Sequence, residues 1–244
     1  MTVGDSSGHG YTIRRLAGAD GIPAAAWDRL ARRGFHRHLW FRTAEMAGHR
    51  PRHVVVERGG TPHAVFPLYT QRAELYGDLH HRWFGPARDV LSSLDLTVRP
   101  TTVCGPPLAT VSEPMKPTGD LPSGVLDEVF AAVEETAWNA GSAAVVWPFL
   151  TPASETLVER ARERGYVTAF EGSRAVLDVE WDSMEAYVAS RGRSSGRTIR
   201  RELEAIEASD VAVEAREDFQ GLADEMDRRY RAFYRDHNER DAPI

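Results

Sequence analysis

Two β-rich runs, His53-Val54-Val55-Val56-Glu57 and Ala64-Val65-Phe66-Pro67-Leu68-Tyr69, are joined through Arg58-Gly59-Gly60-Thr61. Paired glycines supply the positive φ values of a tight turn, so this stretch predicts a hairpin. Pro67 brings no N–H to a ladder, which points to an edge position or a bulge in the second strand. A chain with this hairpin must build a sheet around it and cover that sheet with whatever helices the flanks provide.

The flanks provide them. Tyr11 to Arg15 reads as a short strand, followed by helical patterns from Pro23 to Arg33 and from Leu39 to Ala47. Residues 77 to 120 are rich in proline and glycine, and Cys104-Gly105-Pro106-Pro107-Leu108 reads as a rigid turn. Val125, Leu126, Val129, Phe130, Val133 and Ala137 then draw one apolar helical face, with Ser123 as candidate cap and Gly141 as stop. Ala143 to Phe149 is a continuous apolar run, expected as a strand buried on both faces. A helix from Ala153 to Arg164 turns Leu157, Val158 and Ala161 inward and ends at Gly165; Tyr166 to Phe170 and Ala175 to Val179 read as strands. Val211 to Glu214 predicts another strand, and Phe219 to His237 a helix with Leu222, Met226, Tyr230 and Phe233 inward. The fold class expected is mixed α/β (α+β). Residues 1–10, polar and glycine-rich, are expected to be disordered.

At 244 residues the chain is long enough to bury a sizeable core. Cys104 is the only cysteine, which excludes an intramolecular disulfide and a cysteine-based zinc site within one chain. No apolar stretch reaches membrane-spanning length and the N-terminus lacks the pattern of a signal peptide, so no membrane association and a cytoplasmic location are expected. The net charge of −6 argues against broad nucleic-acid binding but leaves room for a local anion site. Lys116 is the only lysine, so arginine carries information only where it clusters.

It clusters in Trp181 to Ile206, WDSMEAYVASRGRSSGRTIRRELEAI, where five arginines fall within eleven residues. The spacing suggests a short helix, a loop through Arg193-Ser194-Ser195-Gly196, and a second helix starting at Arg197. The N–H groups at a helix start lack intrahelical partners and sit at the positive end of its dipole, so main chain and arginine together can hold a phosphate. Ser194 and Ser195 are candidate caps, Gly196 allows close approach, and Arg197, Arg200 and Arg201 lie on adjoining turns. The bland alternative is a solvated helix whose Arg200 and Arg201 pair with Glu204 and neighbouring acids.

Other constellations are weaker. His36-Arg37-His38 and His80-His81 lack partners at metal-ligand spacing, so no metal is expected. Cys104 has no basic neighbour to favour its thiolate and reads as a packed residue. Trp27, Trp40, Trp138 and Trp147 fall on inward faces, whereas Trp83 and Phe84, with Tyr187, are candidates for lining a cleft.

The order of these elements resembles the GNAT superfamily, and more narrowly the Fem-type acyltransferases built from two GNAT-like units in tandem. The resemblance rests on RHVVVERGGTPHAVFPLY, on the turn CGPPL, on AVVWPF with its following helix and ARERGYV, and on the tryptophan-led basic stretch. It implies a GNAT-like central mixed sheet flanked by helices over residues 11–180, a basic helical linker over 181–208, and the opening strand and helix of a second unit over 209–244. Family members continue for a further hundred or so residues, which implies a piece of a longer protein or a shortened relative completed by a partner subunit or a homodimer. Arg193 to Thr198 matches the first four positions of the family's Arg/Gln-x-x-Gly-x-Gly/Ala phosphate loop and ends in Thr.

The activity implied is N-acyl transfer from an activated donor to a small-molecule or peptide amine. The donor is acyl-CoA, slightly preferred, or aminoacyl-tRNA, with nothing bound permanently as cofactor. Arg193, Ser194, Ser195, Gly196, Arg197, Arg200 and Arg201 would hold the donor's phosphates. Direct transfer needs no metal and no covalent intermediate, and neither the residues nor the resemblance selects a catalytic base. The competing expectation is a GNAT-like interaction or scaffold protein without catalysis.

Overall fold

The computed structural model describes residues 2–6, 10–71, 100–107, 109, 113–115, 120–170, 172–173, 175–215, 218 and 220–238. The chain divides into two compact units, one over residues 1–171 and one over 172–242.

The first unit is a mixed sheet of six strands in sequential order: β1 (Thr2–Ser6), β2 (Tyr11–Leu16), β3 (Pro51–Arg58), β4 (Thr61–Gln71), β5 (Thr101–Cys104) and β6 (Ala144–Val146). Neighbours are antiparallel up to β5, and β5 and β6 run parallel, with Thr101 opposite Ala144 and Val103 opposite Val146. The β3–β4 hairpin forms as its sequence predicts, with Gly59 and Gly60 at φ of 56° and 75°. Pro67 sits inside β4 rather than at a sheet edge, opposite His53. Its carbonyl still accepts from the Gly105 N–H at 2.8 Å, so only the donor it lacks is missing from the ladder.

Both faces of the sheet are covered, which explains the unbroken Val54-Val55-Val56 run. Successive side chains point to opposite sides. Val54 and Val56 join Phe66, Leu68 and Cys104 beneath α3 (Ser123–Asn139) and α4 (Glu155–Glu163). Val55 and Val65 join Trp27 and Phe41 beneath α1 (Ala24–Asp28) and α2 (His38–Met46). The apolar face read from α3 is the one buried: Val125, Leu126, Val129, Phe130, Val133 and Ala137 are all inside. Each of the valines, Leu126 and Phe130 contributes about 1.5–3 kcal/mol on burial, and Ala137 less. Gly141 and Gly165 end α3 and α4 with φ of 70° and 89°.

Several expectations are corrected here. Residues 2–6 form β1, an edge strand paired with β2, instead of a disordered terminus, because β2 offers them an open ladder. Ser123 lies in the first turn of α3, whose N-cap is Pro122. Ala143 to Phe149 gives only the three-residue β6, half-buried throughout, because it pairs with β5 alone among the described residues. Tyr166 to Phe170 and Ala175 to Val179 are not strands, having no ladder partner among the described residues, and they leave Val167 and Phe170, and Val176 and Val179, exposed. Trp138 is exposed at the last turn of α3, while Trp27 is fully buried.

The second unit is helical: α5 (Met184–Ser190), α6 (Arg193–Glu207) and α7 (Ala223–Asn238). Val211 to Glu214 is not a strand, and Val211 and Val213 are exposed. Met226, Tyr230 and Phe233 on α7 are exposed rather than inward. No helix among the described residues is long and apolar enough to cross a membrane.

Candidate anion-binding site

The second unit places its arginines with help from one glycine and two aromatics. Ser183 caps α5, its Oγ accepting from the Ala186 N–H at 3.1 Å. The chain then turns through Arg191 and Gly192 and enters α6 at Arg193, four residues earlier than the sequence suggests. Arg193-Ser194-Ser195-Gly196 is thus helix, not loop, and its N-cap is Gly192, without a side-chain cap bond. Ser194 and Ser195 are therefore not caps. They sit exposed in the first turn, where the helix already has the short residues it needs at its start.

Gly196 is buried, unlike its neighbours, and the reason is contact. A Cβ there would lie 3.1 Å from the Val188 carbonyl oxygen and 3.8 Å from that of Arg191. Glycine in a helix interior costs about 1 kcal/mol against alanine, and here it lets α6 pack directly on the backbone of α5. Its expected role, close approach, is realised toward the protein's own backbone.

The consequence is a cleft of about 430 Å³ lined by Arg191, Arg193, Arg197, Arg200 and Arg201, with Glu204 at one end and Val188 and Ala189 on its wall. Helical spacing accounts for the alignment, since residues 193, 197, 200, 201 and 204 recur at three and four positions. The side chains of Arg193, Arg197, Arg200 and Arg201 make no hydrogen bond or ion pair among the described residues. Some arginines elsewhere are ion-paired, Arg14 with Glu57 at 2.7 Å, Arg164 with Glu134 at 2.8 Å and Arg231 with Asp227 at 2.8 Å. Arg200 and Arg201 form no ion pair with Glu204, although α6 is exposed along most of its length, as the solvated-helix alternative has it. Five guanidinium groups facing one carboxylate make a field that attracts anions.

Of the residues picked out from sequence, Arg193, Gly196, Arg197, Arg200 and Arg201 come together at the cleft; Ser194, Ser195 and Tyr187 do not line it. Trp83 and Phe84 lie outside the described residues. Tyr187 instead stacks edge-on with Trp181, ring centroids 4.9 Å apart, and both rings hold Arg191. Arg191 is the lining residue whose individual role sequence reasoning missed, and the aromatics at 181 and 187 were its signal.

A cavity of about 20 Å³ beside Leu121 and Leu157 has room for a water at most. No group of three or more metal-ligating side chains is found among the described residues. Cys104 is buried in the core, and desolvation pushes its thiol well up, away from the reactive thiolate. His53 and His36 are buried with neither ring nitrogen bonded. Burial lowers His53 to about 3; burial first, and then Arg33, lowers His36 to about 4. Both are neutral packing residues at neutral pH. Comparison with protein-family models, curated proteins and solved structures finds no match to this chain.

Proposed function

We propose that this chain is an acyltransferase of GNAT type, moving an acyl group from an activated donor, a CoA thioester in preference to an aminoacyl-tRNA, to an amine. The observation that carries the reading is the parallel β5–β6 pair in an otherwise antiparallel sheet, reached through α3. Parallel strands leave their C-terminal ends side by side, where open sheets receive ligands. There the chain turns sharply, at Gly105 after β5 and at Phe149 after β6. Phe149 has φ 54°, the one left-handed non-glycine among the described residues. The unpaired arginine cleft supports an anionic donor, with Arg193, Arg197, Arg200 and Arg201 as its phosphate partners.

The chemistry is direct. The amine nitrogen forms a bond to the thioester carbonyl carbon, the C–S bond breaks, the amine's proton passes to a base and CoA leaves as its thiolate. The test is release of free CoA thiol from acetyl-CoA with a panel of amines, alongside thermal shifts with CoA, acetyl-CoA and bulk tRNA. Protein-dependent thiol release and a shift with CoA are expected. No shift with either CoA species, together with salt-sensitive tRNA binding, overturns the preference for CoA.

A second reading is a half-enzyme or interaction protein completed by a partner. It is favoured by the exposed Val167, Phe170, Val176 and Val179, in segments with strand composition and no strand partner among the described residues.

A further inference from the structure

We propose that α6 and α7 pair between two copies of this chain, side by side and parallel, so that each copy lays its α7 on the apolar stripe of the other's α6. The inference goes beyond acyl transfer and uses neither the arginine cleft nor the first unit.

Both helices carry a stripe with the same spacing. On α6 it runs through Gly196, Ile199, Leu203 and Ile206, and on α7 through Ala223, Met226, Tyr230 and Phe233. Alternating steps of three and four residues make a seam that meets another helix along its length. Setting Leu203 level with Tyr230 brings the other layers level too: Gly196 with Ala223, Ile199 with Met226, Ile206 with Phe233. The stripe lies on the side of α6 away from Arg193, Arg197 and Arg201, given about 3.6 residues per turn. α5 has seven residues against the fifteen of α6, so the stripe runs on past the cover that α5 gives at Gly196. Nor do the stripes cover each other within the chain: Ile206, Met226, Tyr230 and Phe233 are each at least half exposed.

Charge says what the stripe fits. α6 sets Arg193, Arg197, Arg200 and Arg201 before Glu202, Glu204 and Glu207, the order that its own dipole disfavours. α7 has the reverse order, with Asp224, Glu225 and Asp227 before Arg228, Arg229, Arg231 and Arg235. In the register of the stripes, Arg197 comes level with Asp224, Arg200 with Asp227, Glu202 with Arg229 and Glu204 with Arg231. Glu207 and Arg229 take the flanking positions from which side chains bridge parallel helices. Arg201 and Arg228, level and alike in charge, fall on the far side of each helix from the seam. Both matching surfaces belong to this sequence, so the partner that supplies the second is another copy. Exchange of α7 by two copies closes a two-fold assembly with two such seams.

Sedimentation of the full chain across about 1–200 μM reads the mass. It should rise with concentration from 27.2 kDa toward twice that, and be half dimeric at about 10–100 μM, as suits a small interface. Met226→Glu on α7 and Ile206→Glu on α6, both at exposed positions, should each hold the chain at 27.2 kDa throughout. Glu207→Arg and Arg229→Glu should each weaken dimerisation by about tenfold, because either one sets like charges across both seams. An equal mixture of those two variants should dimerise about as tightly as wild type, since every seam then pairs an arginine with a glutamate. The mixing arm changes surface charge alone and keeps the test if the apolar substitutions do not fold. A mass of 27.2 kDa at every wild-type concentration overturns the second copy as the partner. A dimer that survives Met226→Glu or Ile206→Glu overturns the surface, and masses beyond a dimer overturn the exchange. A mixture no tighter than its two components overturns the parallel register. No arm reads anion binding or acyl transfer, so the outcome stands apart from the catalytic reading.

Discussion

Acidification should unfold the sheet unit through its buried histidines, and His53 allows the effect to be worked out. Its imidazole is fully buried on β3, edge-on to Trp27 at 5.0 Å and to Phe41 at 5.3 Å, with both nitrogens unbonded. Desolvation lowers its pKa from 6.5 to about 3. Between those values the unfolded chain binds a proton that the folded chain refuses, so stability falls as pH drops below about 6.5. Each pH unit in that window costs about 1.4 kcal/mol per histidine. From pH 6.5 to 4.5, His53 alone therefore removes about 2 kcal/mol, a large share of the 5–15 kcal/mol that holds a typical domain. Replacing His53 with Leu, of similar bulk and without polar atoms, should remove that share of the slope. It should also raise stability at pH 7, because two unsatisfied buried nitrogens disappear. Urea unfolding by circular dichroism at pH 7, 6, 5 and 4.5, wild type against His53→Leu, measures both. An identical pH slope in the two proteins would refute the argument, since His53 would then have to be protonated, or solvated, in the folded state.

Other expectations concern the remaining parts of the molecule. His36, with a pKa near 4, should contribute its own slope over the same window, so His36→Leu with His53→Leu should flatten the profile further than either alone. Gly196→Val should loosen the packing of α6 on α5, because its Cβ would meet the Val188 carbonyl at 3.1 Å; a loss of about 1–3 kcal/mol would be read as faster amide exchange in both helices. Cys104 should resist iodoacetamide in the native protein and react on unfolding in urea, as mass spectrometry would show; labelling at native rates would contradict its burial. Replacing Arg193, Arg197 and Arg200 together with Gln should weaken binding of CoA and flatten its salt dependence, while melting temperature changes little, because these side chains hold no partner among the described residues.

Much of the first unit was legible because its signals are local. The glycine pair of the hairpin, the 3.6-residue face of α3 and the positive-φ stops at Gly141 and Gly165 each follow from a few adjacent residues. Where the sequence misled, the missing information was a neighbour. Ala143 to Phe149 has the composition of a central strand, yet among the described residues β6 stands next to β5 only; Val211 to Glu214 and Tyr166 to Phe170 have strand composition and no ladder there. The arginine cluster shows the same division at the candidate site. Its charge and helical spacing are written in residues 191–204, since periodicity alone puts Arg193, Arg197 and Arg201 on one face. That four of them have no side-chain partner among the described residues, that Gly196 serves helix contact and that Trp181 and Tyr187 hold Arg191 were decided only in three dimensions. Pairing and stacking depend on which groups the folded chain brings within a few ångströms, and sequence spacing does not carry that distance.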